Sequence, residues 1–149
     1  MEKQIITLSE NRKARYDYEL SDFISCGIVL QGSEARSIRD GKVSIVEAYC
    51  FISNNEMFIR GMRIEPLKNA AIGKEHNPDR DKKILMKKRE IIRMDSKTHG
   101  TGLTIIPVEL QQIGRFFKIK IALGRGKKKW DKRQDEKIKN AKKEIKDLV

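Results

Sequence analysis

Across residues 117–123 Phe117, Ile119, Ile121 and Leu123 alternate with Lys118, Lys120 and Ala122. A period of two predicts a β-strand with one face on a core, which turns both lysines outward. Residues 104–108, Thr-Ile-Ile-Pro-Val, predict a second strand just upstream, connected through Gly114. Pro107 has no N–H to give to a ladder, so this strand is expected at a sheet edge or with a bulge. Residues 48–53 and 56–62 flank Asn54-Asn55, and asparagine tolerates positive φ, so a tight hairpin is expected there. Residues 26–30, and more weakly 16–20, add two further short strands.

Two helices are expected between these strands. Residues 33–39 form the first, closed by Asp40-Gly41, where glycine suits a helix end. The second is expected over about 81–95, where Ile84 and Leu85 recur seven residues later as Ile91 and Ile92, an apolar stripe on a basic helix. Residues 69–80, rich in Gly, Asn and Pro, read as a loop. About six short strands with about two inserted helices predict a mainly β fold, an OB-like antiparallel barrel.

At Gly124 the pattern changes, which divides the chain into a barrel over 1–123 and a tail over 124–149. Between Gly126 and Ile138 the only large apolar side chain is Trp130. Wound as a helix, Ile138, Ala141, Ile145 and Leu148 fall at spacings of 3, 4 and 3, beside a basic stripe of Lys132, Lys139, Lys143 and Lys146. Asp135 and Lys139 add an i,i+4 pair worth only a few tenths of a kcal/mol. A helix of this length is marginal in water, so the tail is expected to be disordered alone and helical once an anionic partner covers its lysines.

Charge sharpens this division. The tail carries 11 basic and 5 acidic side chains, half of the net +12 of all 149 residues. Such a field favours a polyanion. In GRGKKKWDKR, residues 124–133, the cations suit phosphates and the indole suits stacking on an unpaired base. The competing readings are a solvated basic tail with Trp130 packed on the barrel, and a nuclear address. GxxxxGK[ST] is absent, so no phosphate-cradling loop is implied.

Other chemistries find little support. Cys26, Cys50, His76 and His99 are separated by 24, 26 and 23 residues, which is no metal-ligand spacing, and no metal or cofactor is expected. The cysteines read as small buried hydrophobes in a reducing, cytoplasmic setting. The first residues lack the apolar stretch of a secretory signal, and no run approaches the roughly 18 apolar residues of a membrane span. His76 and His99 fall in polar loops, where solvated side chains are the default, and neither GxSxG nor HExxH occurs, so no enzyme is expected. Glu34, at the start of the first helix, is either a carboxylate favoured by the helix dipole or an acceptor for RNA donors.

Read in order, several segments resemble the small protein B family, the SsrA-binding proteins that work with transfer-messenger RNA. They begin at Asn11-Arg12-Lys13-Ala14. Gly27 to Glu34 is similar to the family's GI-L-G-E segment, and Pro78 to Met86 resembles its P-R-RKLLL segment. Gly102 to Pro107 resembles the G-T-VP strand, and Gly126-Lys127-Lys128 with Asp131-Lys132-Arg133 matches the GKK–DKR tail signature. Trp130 stands where the family often has His or Tyr, which keeps a planar ring but not a titratable one.

The resemblance implies an OB-type barrel that grips the elbow of the tRNA-like domain of transfer-messenger RNA. It also implies delivery with elongation factor Tu to stalled ribosomes, and a tail that folds in the empty decoding centre and mRNA channel. By matching position, Asn11, Glu34, Lys83, Ile84, Leu85, Met86 and Lys87 become elbow candidates. Gly126, Lys127, Lys128, Trp130, Asp131, Lys132 and Arg133 become the ribosome-facing set, to which the basic stripe adds Lys139, Lys143 and Lys146. The outward Lys118 and Lys120 join the elbow face from the residue pattern alone. The partners are then transfer-messenger RNA, the ribosome and elongation factor Tu, without a membrane and without need of a second copy. The alternative is a general OB-type binder of structured or single-stranded RNA, whose affinity would track charge.

Overall fold

The structure, a computed structural model, describes residues 4–67 and 76–127 together with the single positions Arg133 and Lys137. Nine strands and three helices are formed among the described residues, in the order β1 (Ile5–Glu10), α1 (Arg12–Asp17), β2 (Tyr18–Ile28), α2 (Gly32–Arg39), β3 (Val43–Ser44), β4 (Tyr49–Ser53), β5 (Glu56–Arg60), β6 (Arg63–Ile64), β7 (Lys82–Leu85), α3 (Lys88–Thr98), β8 (Leu103–Ile113) and β9 (Phe116–Gly126). Seven strands form one antiparallel sheet in the order β1-β8-β9-β2-β7-β5-β4, while β3 and β6 pair separately. β4 packs against β8 although four strands separate them in the order, so the sheet curls on itself like a barrel. Its hydrogen-bond ladder does not close. The fold is therefore mainly β and OB-like, with an open rather than sealed barrel.

The strongest local signals are realised. Asn54 and Asn55 both adopt positive φ, 51° and 62°, and turn β4 into β5. Gly41 closes α2 at φ 76°, and Gly114 turns β8 into β9 at φ 60°. Pro107 lies in an interior strand, and the ladder accommodates its missing N–H with a register shift between Pro107 and Glu109. Ile119, Ile121 and Leu123 are buried, as the alternation requires, and they join Met57, Ile59 and Ile84 in the core. Each such side chain contributes roughly 1.5–3 kcal/mol by leaving water. Cys26 and Cys50 are buried free thiols, and burial pushes the Cys26 thiol up to about 11, which leaves it inert near neutrality.

Three expectations are corrected. Residues 82–85 are a strand, and the second helix starts only at Lys88. The recurrence of Ile84 and Leu85 at Ile91 and Ile92 suits both periods. Within 82–85 burial alternates, with Lys82 and Ile84 inside and Leu85 outside, because β5 and β2 pair on either side. Residues 16–20 are not a separate strand. α1 ends at Asp17, and β2 then runs 11 residues through both expected short strands. A bulge between Ser21 and Ile24, with Asp22 at φ 53°, bends it. The strand count is also higher than six. β1 keeps Ile5 and Ile6 exposed at a sheet edge and so shows no period, while β3 and β6 have two residues each.

β9 carries the chain past Gly124 to Gly126, and the Lys127 N–H then donates to the Asp17 carbonyl at 2.9 Å. The sheet thus takes in the first residues of the expected tail. Gly124 fits closely there: a Cβ would stand 2.4 Å from Ile106 Cδ1 and 3.2 Å from Tyr18 Cβ, so the end of the Ile106 side chain would have to shift to admit one.

Candidate nucleic-acid interface

Strand register lays out the sheet's outer face in rows. Lys118 lies opposite Gly27, Gly27 opposite Leu85, and Leu85 beside Glu56 through the neighbouring pair Met57 and Ile84. The next row runs from Lys83 to Phe58 and Phe51. Beside the first row lies a groove of about 570 Å³, bordered by Lys83, Lys87, Lys88 and Lys118, with Leu85 half exposed at 54% on the same face. Lys83 is held by Glu56, Nζ to Oε2 3.3 Å, an exposed pair of the kind worth at most about 1 kcal/mol. A phosphate would displace that partner at little cost.

α3 begins at this groove, and its first turn is of mixed charge. Its N-cap is Lys87, which makes no side-chain capping bond, and Lys88 and Arg89 follow in the first turn together with Glu90, which also lines the groove. Cations at a helix N-terminus cost roughly 0.3–1 kcal/mol each, whereas an anion there is stabilised. A phosphate in the groove would meet helix N–H groups and lysines together. Lys88 and Arg80, the latter described next, were not among the sequence candidates. The segment carried over by resemblance ends at Lys87, one residue before Lys88.

A buried ionic cluster lies on the inner side of β7. Glu34 is fully buried. Its Oε1 accepts from the Gln31 N–H at 2.7 Å and from Arg80 Nη2 at 2.5 Å, and its Oε2 accepts from Arg80 Nε at 3.2 Å. Lys82, also fully buried, sits 3.9 Å from Oε2 and donates to the Met62 carbonyl at 2.8 Å. Burial alone would raise the Glu34 carboxyl, but the Arg80 and Gln31 hydrogen bonds and the two nearby cations outweigh it, and the group stays below its ordinary value. Burial dominates at Lys82, so its ammonium falls below the usual range despite Glu34. His76 is buried too, a correction to its solvated reading: Nε2 donates to the Ile64 carbonyl at 2.8 Å, and Nδ1 lies within hydrogen-bond distance of the Ser33 hydroxyl, at 3.0 Å. Together these contacts tie residues 76–82 to α2 and so fix where β7 displays Lys83 and Leu85.

The other candidates are dispersed. Glu34 has no surface for an RNA donor to reach, and the helix-start reading describes it: a carboxylate that holds Arg80. Asn11 is buried as the N-cap of α1, with Oδ1 accepting from the Ala14 N–H at 3.1 Å and Nδ2 donating to the Pro107 carbonyl at 3.0 Å. It borders a different hollow from the lysine groove. Of the Lys83–Lys87 segment, Ile84 is core, while Leu85 and Lys87 are exposed and Met86 is partly buried. Lys118 lines the groove, and Lys120 lies 5.4 Å over the Phe23 ring. Gly126 ends β9, and Lys127 Nζ donates to the Arg15 carbonyl at 3.2 Å. Arg133 is helical and exposed. Lys128, Trp130, Asp131, Lys132, Lys139, Lys143 and Lys146 lie outside the described residues. His99, exposed at the end of α3, has Nδ1 3.4 Å from Asp95 Oδ1. No described helix is long and apolar enough to cross a membrane.

Comparison with known proteins decides the lineage. The model of the SmpB protein family matches residues 8–149. The chain belongs to the SmpB family. Among SmpB relatives, the SsrA-binding protein of Prochlorococcus marinus (strain MIT 9215) is 44% identical over 138 residues, covering 93% of this chain and 84% of that one. The SsrA-binding protein of Staphylococcus aureus (strain Newman) is 42% identical over 139 residues, covering 93% and 90%. A solved structure reported as "tmRNA-SmpB: a journey to the center of the bacterial ribosome" is similar at a TM-score of 0.66 and 33% identity, over 80% of this chain and 84% of that one.

Proposed function

We propose that this chain binds the tRNA-like domain of transfer-messenger RNA and brings it to stalled ribosomes for trans-translation. The observation that carries the reading is family membership over nearly the whole chain, with relatives named as SsrA-binding proteins and a similar solved structure reported as tmRNA-SmpB. The geometry supports a location for the contact. The outer face with Lys83, Lys87, Lys88 and Lys118 presents cations and a helix N-terminus to phosphates, and Glu34 acts behind it by fixing Arg80 and β7. Asn11 serves the same binding at one remove, as the cap that seats α1. Delivery proceeds with elongation factor Tu, in the cytoplasm, with one copy of the chain. The tail from Lys128 onward occupies the decoding centre and mRNA channel, with Trp130 stacking on a base and Lys132, Arg133, Lys139, Lys143 and Lys146 on phosphates. The protein itself catalyses nothing.

The test compares the full chain with one ending at Lys127, which keeps β9 and its bond to Asp17 intact. Each is titrated with the tRNA-like domain, with ordinary tRNA and a single-stranded oligomer as competitors. Equal, selective binding by both chains supports a body that reads the RNA and a tail that works on the ribosome. Loss of most affinity on truncation, with the competitors binding as well, would leave a general electrostatic RNA binder.

A further inference from the structure

The outer face continues beyond the lysine groove into an aromatic platform. Phe51 and Phe58 face each other across β4 and β5, their rings stacked at 5.6 Å between centroids and 23° between planes. Tyr49, 48% exposed, follows at 6.4 Å from Phe51. The Arg60 guanidinium lies 4.5 Å above the Phe51 centroid. Asp81 clamps it with two hydrogen bonds, Nε 3.0 Å from Oδ1 and Nη2 2.7 Å from Oδ2, yet half of the Arg60 side chain remains exposed. The core does not need these groups, because Cys50, Met57 and Ile59 form the buried face of the same two strands.

We propose that Tyr49, Phe51, Phe58 and Arg60 form a stacking platform for unpaired nucleobases of the same RNA whose phosphates occupy the lysine groove. The proposal rests on the RNA-binding reading above. Continuity favours RNA over a protein partner, since Lys83 borders the groove and is also the register partner of Phe58. So does charge, with a net of +12 on the chain. A flat, clamped guanidinium and a phenol ring offer planar faces that every base can stack on, whatever its sequence.

The test uses the full chain, the tRNA-like domain of transfer-messenger RNA, and three variants: Tyr49→Ala, Phe51→Leu and the groove variant Lys118→Gln. Thermal melting confirms that each is folded. Affinity is measured across salt concentrations, and 4-thiouridine-substituted RNA is cross-linked and the attached peptide identified. The expected result is roughly a tenfold loss for Tyr49→Ala with an unchanged salt slope, since stacking releases no counterions. Cross-links at residues 49–60 and a smaller loss for Phe51→Leu are expected with it. Wild-type affinity in both platform variants without cross-links there, while Lys118→Gln weakens binding, overturns the platform and leaves the groove standing. Failure of the wild-type chain to bind this RNA at all overturns both.

Discussion

Lys82 and Lys83 are neighbours of identical chemistry on one four-residue strand, and they serve opposite ends. Lys82 points into the core, fully buried, between Glu34 and the Met62 carbonyl. Lys83 points outward, part exposed, beside Glu56 at the groove. The pleat of β7 alone makes the difference. Burial turns one lysine into a structural tie whose charge must be answered by Glu34, whereas exposure leaves the other free to exchange a weak carboxylate partner for phosphate.

The largest effect is expected when the buried side loses its anion. Glu34→Gln strands Arg80 and Lys82 without a countercharge, and should lower stability by about 3–5 kcal/mol in denaturant melts. A loss below about 1 kcal/mol would mean that the cluster is not a tie. Lys82→Met should cost less, about 1–3 kcal/mol, because Glu34 keeps Arg80 and the Gln31 N–H while only the Met62 carbonyl is deprived of its donor.

Acid acts on the same cluster more gradually. The folded-state pKa of Glu34 is lowered relative to the unfolded chain, so its stabilisation is fully present above the ordinary glutamate value near 4.5 and is lost as pH falls through the lower, folded value. A pH series of melts on wild type and Glu34→Gln should show the difference between them shrinking below about pH 4.5. A constant difference down to strong acid would place the carboxylate outside the tie. Lys83→Gln should leave stability within about 0.5 kcal/mol while weakening RNA binding several-fold. A destabilised Lys83→Gln variant with unaltered RNA affinity would erase the contrast between the two lysines.

The contrast also marks what was legible in the sequence. Period-two alternation in 117–123 and the Asn-Asn turn each specify a local geometry, and both are found. Over 82–85 the same residues satisfy a helical stripe and a strand, and only pairing with β2 and β5 decides, which is information from distant chain segments. Glu34 was recognisable as a helix-start carboxylate, but its burial depends on Arg80, 46 positions away. The aromatic platform was scattered over two hairpin strands and became visible only through register. Alternation alone turns Lys118 outward to the groove, whereas Lys88 joins it only once the structure shows where α3 begins.

The most direct measurement replaces Lys83, Lys87, Lys88 and Lys118 by glutamine together and follows affinity for the tRNA-like domain of transfer-messenger RNA across salt concentrations. The account predicts an unchanged fold, a large loss of affinity, and a salt slope shallower by roughly one for each phosphate that the variant no longer neutralises. A folded variant with wild-type affinity and slope would contradict it, and would place the RNA on another face of the sheet.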